Sequence, residues 1–307
     1  MWHSFSFLFL GSLVLSLILA DETCNAMASP KKVIVTGAGG QTGQSLFRQL
    51  LKQPQEFEPL GFVRTPASKA ALVESGIDET KVAVVDVTDA DAIKAAIKEF
   101  TTQQPLAAFC IATSAKPSPT GEMDEETGRP KFGFPNGQPE EVDWIGQKQQ
   151  IDACPPGTHI VVCSSMGGTN PANPLNNFGR TVLEDGSVKG GNILMWKRKA
   201  EMYLMEQSDK TYTIIHPGGL INEPGGEREI VVGVDDSQEG TESRSIPRED
   251  VAAVMLAAVQ YSEAYKNRSF DIRAKPVGDG SPTTDFENLL ATQIQDRNCD
   301  YSLGEAM

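Results

Sequence analysis

Residues 33–43 read VIVTGAGGQTG, an apolar run that leads through a glycine-rich turn into a helix. Gly37, Gly40 and Gly43 have the spacing of a dinucleotide-binding turn. The first glycine permits the tight turn, the second lets the backbone approach a pyrophosphate, and the third lets the helix pack closely on the strand. Because this turn follows the first strand of an alternating chain, it predicts a dinucleotide site.

The helix after this turn begins with N–H groups that have no intrahelical partner, at the positive end of the helix dipole. These groups attract the phosphates of a dinucleotide. The predicted phosphate-binding set therefore comprises Gly37, Gly39, Gly40, Gln41, Thr42 and Gly43.

Beyond the turn, apolar runs alternate with stretches of helical spacing. The predicted strands are 33–35, 60–63, 82–85, 107–112, 160–163 and 212–216, and the predicted helices are 42–51, 92–100, 142–153 and 193–206. This alternation implies parallel strands joined by right-handed crossovers. The predicted fold class is α/β, a Rossmann-like doubly wound parallel sheet with a small C-terminal cap region, in a single domain over residues 31–307.

Two stretches interrupt this alternation. Residues 116–141 are rich in prolines, glycines and charges, which predicts a long loop near the carboxyl ends of the strands. After Gly218 the pattern is less regular and predicts the cap. Its parts are a short apolar run at 229–234, a helix at 248–261, a strand at 269–272 and a helix at 285–294.

Arg64 indicates which dinucleotide is bound. It follows the second strand, about 20 residues after the glycines, where NAD-binding folds carry an acid for the ribose hydroxyls. A carboxylate there repels a 2′-phosphate, whereas a guanidinium binds it with two hydrogen bonds. Arg64, with Lys69 as a second cation, predicts NADP(H) in preference to NAD(H). The alternative is that Arg64 is an ordinary solvated charge at a strand end.

The ends of the third and fourth strands supply further candidates. Asp86 and Val87 follow the third strand, where the carboxylate can accept a hydrogen bond from the adenine amino group or can cap the next helix. Thr113 and Ser114 follow the fourth strand, where the chain passes near the cofactor ribose and small residues permit close approach.

Composition and charge restrict the partners. The chain has 307 residues, of which 39% are hydrophobic and 22% are charged, which excludes a multi-span membrane protein and a disordered chain. Its 41 acids and 27 bases give a net charge of −14, which repels nucleic acid. The five cysteines form no C-x-x-C pair and only three histidines occur, so we predict no metal site. The expected partner is a small-molecule substrate, and a homo-oligomer is one possible assembly.

The N-terminal residues 1–26 contain an uncharged apolar stretch that is too short for a comfortable membrane span. The stretch has the length of a signal-peptide core and small residues follow it, although no basic residue precedes it. A signal peptide would direct the chain to the secretory route and leave no membrane span in the mature protein. Alternatively residues 1–26 are a misassigned extension, translation starts at Met27, and the protein is cytoplasmic.

Several longer strings carry a resemblance to a known family. These are VTGAGGQTG (35–43), EVDWIGQKQQID (141–152), SSMGGTNPANPLN (164–176), GNILMWKRKAEMYL (191–204) and YTIIHPGGL (212–220). Together they resemble the atypical, NmrA-like group of the short-chain dehydrogenase/reductase family, and within it a plant and algal group of NADP-binding proteins whose reaction is uncharacterised. The resemblance implies a doubly wound sheet that holds NADP at the carboxyl ends of its strands.

The family's chemistry usually requires Ser, Tyr and Lys. The resemblance places Ser165 at the serine position and Lys197 at the lysine position, where the lysine also holds the ribose hydroxyls. The tyrosine position, four residues before the lysine, holds Ile193. The usual proton donor is therefore missing. His216 precedes a turn, starting at Pro217, whose counterpart in the family borders the nicotinamide.

Three routes could replace the tyrosine. Lys197 could act as acid or base, Ser165 could relay a proton through water, or solvent could supply the proton; His216 is a further catalytic candidate. The favoured function is an NADPH-dependent oxidoreductase of a small carbonyl, quinone or conjugated substrate. The alternatives are a non-catalytic NADP(H) sensor or regulatory protein, and an isomerase or epimerase that recycles its cofactor.

Overall fold

The computed structural model describes residues 1–2, 29–123, 128, 130–238 and 243–304. The proposed signal peptide at residues 1–26 lies outside the described residues from residue 3 onward, so the structure does not bear on it. Within the described ranges, no helix combines the length and the apolar character that a membrane span requires.

The described residues form short strands and helices in regular alternation. The strands are β1 (Lys31–Thr36), β2 (Phe57–Val63), β3 (Val82–Val84), β4 (Leu106–Ile111), β5 (Ser118–Met123), β6 (Pro130–Gly133), β7 (His159–Cys163), β8 (Thr181–Val182), β9 (Val188–Lys189), β10 (Thr211–Pro217), β11 (Gly219–Ile221), β12 (Ile230–Gly233), β13 (Ser245–Pro247) and β14 (Arg268–Ala274). The α-helices are α1 (Gln41–Leu51), α2 (Pro66–Glu74), α3 (Ala90–Phe100), α4 (Gln147–Ala153), α5 (Ile193–Met205), α6 (Arg248–Gln260), α7 (Ser262–Tyr265) and α8 (Leu289–Gln293). A π-helical segment, Glu140–Gly146, leads directly into α4.

The main sheet has eight strands among the described residues, in the order β12-β14-β10-β7-β4-β1-β2-β3. Its neighbouring pairs are parallel except β12 and β14, which are antiparallel. The chain winds outward from β1 in both directions, so the strand order reverses between β1 and β4. Ligands of doubly wound sheets bind in the crevice at such a reversal. This topology confirms the predicted Rossmann-like α/β fold.

Side chains that alternate along the central strands build a core on each face of the sheet. Val33 and Val35 pack with α1 and α6 on one face, whereas Ile34 packs with α3, α4 and α5 on the other. All three are fully buried. Because β1 is covered on both faces, it is a rigid base for the glycine-rich turn at its carboxyl end.

Two predicted regions differ from the structure. Residues 116–141 are not a loop throughout, because β5 and β6 form an antiparallel hairpin within them. Their side chains are mostly exposed, so no apolar alternation marks them as strands. The region after Gly218 does more than cover the sheet edge: the predicted strand at 269–272 is present as β14, and together with β12 it extends the sheet itself. Its last helix, α8, is also shorter than predicted.

His159, at the start of β7, makes the stability of the fold depend on pH. Its Nδ1 and Nε2 lie 2.8 and 3.0 Å from the hydroxyls of Thr211 and Thr213. Burial lowers the pKa of His159 from 6.5 to about 4. The unfolded chain therefore binds a proton that the folded chain does not. The neutral His159 therefore contributes its full stabilisation of the fold above pH 6.5, and this contribution is lost as the pH falls to about 4.

We expect this difference to remove about 3 kcal/mol of the free energy of unfolding between these two pH values. Urea unfolding at a series of pH values would measure it in the wild type and in His159→Gln. The variant should lose less stability on acidification than the wild type. Identical pH dependence in both proteins would show that His159 does not stay neutral in the fold.

Candidate functional site

A cleft of about 510 Å³ opens at the reversal of strand order, next to the glycine-rich turn. Its volume lies within the range typical of small-molecule and cofactor sites. Residues at the carboxyl ends of β1, β2, β3 and β4 line it. The predicted site residues that line this cleft are Gly37, Gly39, Gly40, Arg64, Asp86, Val87, Thr113 and Ser114.

The glycines of the turn have the geometry that their spacing predicts. Gly37 has a φ of +69°, and a Cβ there would lie 2.6 Å from the carbonyl oxygen of Ala112. A Cβ on Gly43 would lie 2.3 Å from the carbonyl oxygen of Gly37. Glycine at both positions therefore lets α1 and the end of β4 approach the turn closely.

The first turn of α1 is suited to an anion. Gly40 is the N-cap, and among the described residues no side chain caps this helix. The N–H groups of the first turn, which includes Gln41 and Thr42, are therefore left for a ligand or solvent. Gln41 itself does not line the cleft and instead borders a separate groove along α1.

Arg64 lies at the rim of the cleft, directly before α2. Its Nη1 donates a 2.7 Å hydrogen bond to the backbone oxygen of Asn136, from the stretch predicted as a loop. Thr65 caps α2 by accepting a hydrogen bond from the N–H of Ser68, and the hydroxyls of these two residues are 2.9 Å apart. A guanidinium, two hydroxyls and a helix N-terminus thus converge at one end of the cleft.

The other charges of the cleft were assigned only in part from the sequence. Asp86 forms a local turn by accepting from the N–H and the hydroxyl of Thr88. Asp89, not Asp86, caps α3, so the capping alternative for Asp86 was wrong. Lys69, the predicted second cation, pairs with Glu79 at 3.4 Å, whereas Lys116 lines the cleft.

Thr113 is held in place by a buried glutamine that the sequence did not single out. The amide of Gln150 donates to the hydroxyl of Thr113 over 3.3 Å and to the carbonyl of Gly146 over 3.0 Å. Its oxygen accepts a 2.7 Å hydrogen bond from Thr36. Gln150 therefore links the ends of β1 and β4 behind the cleft.

Lys197 forms a buried ion pair with Asp143, which the sequence also did not single out. Lys197 Nζ lies 2.7 Å from Asp143 Oδ1, and the two side chains are 7% and 0% exposed. The second carboxylate oxygen accepts a 3.0 Å hydrogen bond from the N–H of Ala115, just after β4. The only signal in the sequence was the string 141–152, in which Asp143 is one of several polar residues.

The position of the missing tyrosine is apolar in the structure. Ile193 is 8% exposed and packs in a small cluster with Ala115, Phe134 and Leu194. The cluster joins the first turn of α5 to the stretch between β6 and α4. No proton donor occupies this position.

Ser165, His216 and Pro217 lie outside the described lining of the cleft, as does Lys197. Ser165 and His216 instead share the wall of a small cavity of about 10 Å³. The Ser165 hydroxyl donates to the carbonyl of Met166, and the carbonyl of Pro217 accepts from the N–H of Met166. The predicted catalytic residues are therefore not all together: Ser165 and His216 share the small cavity, whereas Lys197 pairs with Asp143 and does not line that cavity.

His216 is buried between two carboxylates. Its Nε2 lies 3.2 Å from Glu201 Oε2, and its Nδ1 lies 3.3 Å from Asp271 Oδ1. Burial alone would lower the pKa of His216, but the Glu201 charge and hydrogen bonds with Asp271 and Cys299 raise it well above 6.5. Burial alone would raise the pKa of Glu201, but the charge and hydrogen bond of His216, with further hydrogen bonds from Ser164 and Tyr301, lower it to about 2.

Comparisons with known proteins agree with this geometry. Residues 37–262 match the model of a family described as NAD(P)H-binding. An uncharacterised chloroplast protein of Arabidopsis thaliana is 44% identical over 273 residues, which cover 88% of this chain and 77% of that protein. Sanguinarine reductase of Eschscholzia californica is 40% identical over 280 residues, which cover 84% of this chain and 94% of the reductase.

Solved structures support the fold. A Rossmann-fold NAD(P)-binding protein of Shigella flexneri superposes with a TM-score of 0.51 at 18% identity, over 83% of this chain and 98% of that one. Gre2 of Candida albicans in complex with NADPH superposes with a TM-score of 0.53 at 16% identity, over 80% of this chain and 78% of Gre2. At these identities the likeness concerns the fold alone.

Proposed function

The chain belongs to the NAD(P)H-binding family, and we propose that it is an NADPH-dependent reductase of a small conjugated acceptor, such as a quinone, a carbonyl or a cationic imine. The observation that carries this proposal is the cleft at the reversal of strand order. There a glycine-rich turn and a helix N-terminus meet Arg64, Thr65 and Ser68, which together suit a dinucleotide with an additional phosphate.

The residues present fit such a cofactor along the whole cleft. The turn at Gly37 and the first turn of α1 would hold the pyrophosphate through backbone N–H groups. Arg64, with the hydroxyls of Thr65 and Ser68, would hold the 2′-phosphate of the adenosine ribose. Asp86 would accept from the adenine amino group, and Thr113 and Ser114 would border the second ribose.

When bound, the cofactor would supply a hydride. The protein then has to orient the acceptor and, where the reduced product needs a proton, to provide it or admit it from solvent. The apolar setting of Ile193 argues against a protein acid at the usual position. Acceptors that need no such acid suit this site best. Hydride addition to a cationic imine gives a neutral amine, and a reduced quinone takes its proton from solvent. The net charge of −14 also attracts cationic substrates.

The reductase class is further supported by the relative from Eschscholzia californica, since its name states a reductase and its sequence is 40% identical. Sanguinarine is therefore a natural member of a test panel. A sequence identity of 40% does not by itself assign the same substrate, so the panel should include quinones, carbonyls and cationic imines.

The proposal is tested by following the absorbance of NADPH with the full chain and a panel of quinones, carbonyls and cationic conjugated imines, including sanguinarine. We expect catalytic oxidation of NADPH with at least one cationic imine or quinone. One specific observation favours a second candidate, a non-catalytic NADP(H) sensor: no proton donor occupies position 193. Stoichiometric binding of NADPH without turnover over the whole panel would contradict the reductase and favour the sensor.

Arg64→Ala is expected to weaken NADPH binding by roughly 30- to 100-fold while leaving NADH binding within about threefold. The physical reason is that only NADPH carries the phosphate that the guanidinium would bind. Fluorescence titration with both nucleotides measures the change. Arg48→Ala is the matched control, because Arg48 donates a hydrogen bond to the hydroxyl of Ser75, at the end of α2, and does not line the cleft. Equal losses for both nucleotides would remove Arg64 from phosphate recognition.

A further inference from the structure

Three side chains from distant parts of the chain place metal-ligating atoms together at one end of the sheet. His216 lies in β10, Asp271 lies in β14, and Cys299 lies in the segment after α8. His216 Nδ1 is 3.3 Å from Asp271 Oδ1 and 3.6 Å from Cys299 Sγ, and Cys299 Sγ is 3.7 Å from Asp271 Oδ1. All three residues are at most 9% exposed. The three residues share no short spacing, so no sequence motif reveals this cluster.

The three distances match the edges of a tetrahedral metal site. Zinc binds imidazole nitrogen and carboxylate oxygen at about 2.0 Å and thiolate sulfur at about 2.3 Å. At the tetrahedral angle these bond lengths place nitrogen and oxygen about 3.3 Å apart, and sulfur about 3.5 Å from either.

The hydrogen bonds to the remaining atoms of His216 and Asp271 resemble those that orient metal ligands in other proteins. A histidine that binds a metal through one nitrogen usually donates its other N–H to a carboxylate. His216 Nε2 faces Glu201 Oε2 at 3.2 Å, and Tyr301 donates to the same oxygen over 3.0 Å. The second oxygen of Asp271 accepts a 2.7 Å hydrogen bond from the N–H of Asp236. Both the imidazole and the carboxylate are therefore oriented from behind.

A cavity of about 10 Å³ adjoins the three ligating residues, and Ser165 also lines it. This volume corresponds to about one water-sized particle. It would accommodate a solvent molecule as the fourth ligand. The cluster therefore offers three protein ligands and space for one more, as in open zinc sites.

We propose that His216, Asp271 and Cys299 bind one divalent cation of the zinc class, with solvent as the fourth ligand. Thiolate and imidazole ligands favour zinc and its neighbours over magnesium and calcium, which prefer oxygen ligands alone. The bound cation would fasten the C-terminal segment to β10 and β14. That segment already pairs with the sheet, since the N–H of Cys299 donates to the carbonyl of Ser269 over 3.1 Å. This site is separate from the cofactor cleft.

The test is a titration of the chelator-treated full chain with Co²⁺, which replaces zinc and reports its ligands by absorbance. We expect one equivalent of Co²⁺ to produce tetrahedral visible bands and a near-ultraviolet thiolate-to-cobalt band, and Zn²⁺ to displace them. Cys299→Ser should lose the thiolate band. Cys163→Ser, which removes a half-buried thiol outside the cluster, should keep it. Asp271→Asn should bind at least about tenfold more weakly.

Folded wild-type protein that yields no thiolate band would overturn the proposal, whatever the variants do. In that case His216 is only a protonated bridge between Glu201 and Asp271. A band that survives Cys299→Ser would also overturn it, since the thiolate would then come from another cysteine. As a second measurement, Zn²⁺ should raise the Tm of the wild type and of Cys163→Ser but not that of Cys299→Ser.

Discussion

Asp143→Asn is expected to lower kcat by about 100-fold and the free energy of unfolding by about 3–5 kcal/mol. The carboxylate is fully buried and bonded both to Lys197 and to the N–H of Ala115. Its removal leaves the Lys197 ammonium buried without its ion-pair partner and loosens the chain after β4, which also carries Thr113 and Ser114. A cofactor held less accurately there reacts more slowly even if it still binds.

The two effects can be separated. Urea unfolding measures the stability, and turnover with the best acceptor, with NADPH saturating, measures kcat and KM for the acceptor. In Asp143→Leu combined with Lys197→Met, an apolar pair replaces the buried charges, so most of the stability should return but not the turnover.

Glu58→Gln is the matched control for the ion pair. It removes one partner of the Lys32–Glu58 pair, whose atoms are 3.3 Å apart and whose glutamate side chain is 38% exposed. Its expected cost is under about 1 kcal/mol. If Asp143→Asn lowered stability and turnover as little as this control does, the Lys197–Asp143 pair would be needed neither for the fold nor for the reaction.

Gly43→Ala is expected to weaken NADPH and NADH binding alike, by about 100-fold. The new Cβ would lie 2.3 Å from the carbonyl oxygen and 2.8 Å from the carbonyl carbon of Gly37. Since both atoms belong to the backbone, no side-chain rotation relieves the clash, and α1 must move away from the turn. Overpacking of this kind costs about 3 kcal/mol. If the turn must return to its original geometry to bind phosphate, this cost raises Kd by about 100-fold.

Isothermal titration with each nucleotide measures this loss, and circular dichroism confirms that the variant is folded. Ser45→Ala, two positions further along α1, is the control, because it removes an oxygen and introduces no clash. The control should bind both nucleotides as the wild type does. A folded Gly43→Ala protein with unchanged affinity would mean that the turn does not carry the phosphates.

The fold could be predicted from the sequence because its determinants are local. One short segment contains the apolar strand, the three glycines and the start of α1. The position of each glycine relative to the strand and the helix indicates why a larger residue would not fit there. The alternation of later strands and helices then fixes the parallel sheet. Arg64 could be assigned to the cleft because its position relative to the glycines is set by a single strand–helix–strand unit.

The rest of the site could not be predicted because it depends on contacts between distant segments. Asp143 meets Lys197 only after a π-helical segment packs against α5, and the sequence shows no periodicity that distinguishes such a segment from an α-helix. Gln150, on α4, likewise reaches Thr113 just after the end of β4. The β5–β6 hairpin was missed because its strands are mostly exposed.

We propose that the cleft beside the glycine-rich turn holds a dinucleotide and prefers its phosphorylated form. The most direct measurement is a fluorescence titration of the full chain with NADPH and, in parallel, with NADH. We expect saturable, one-to-one binding of NADPH at least about tenfold tighter than that of NADH. Equal affinity for the two nucleotides, or binding of neither, would contradict it.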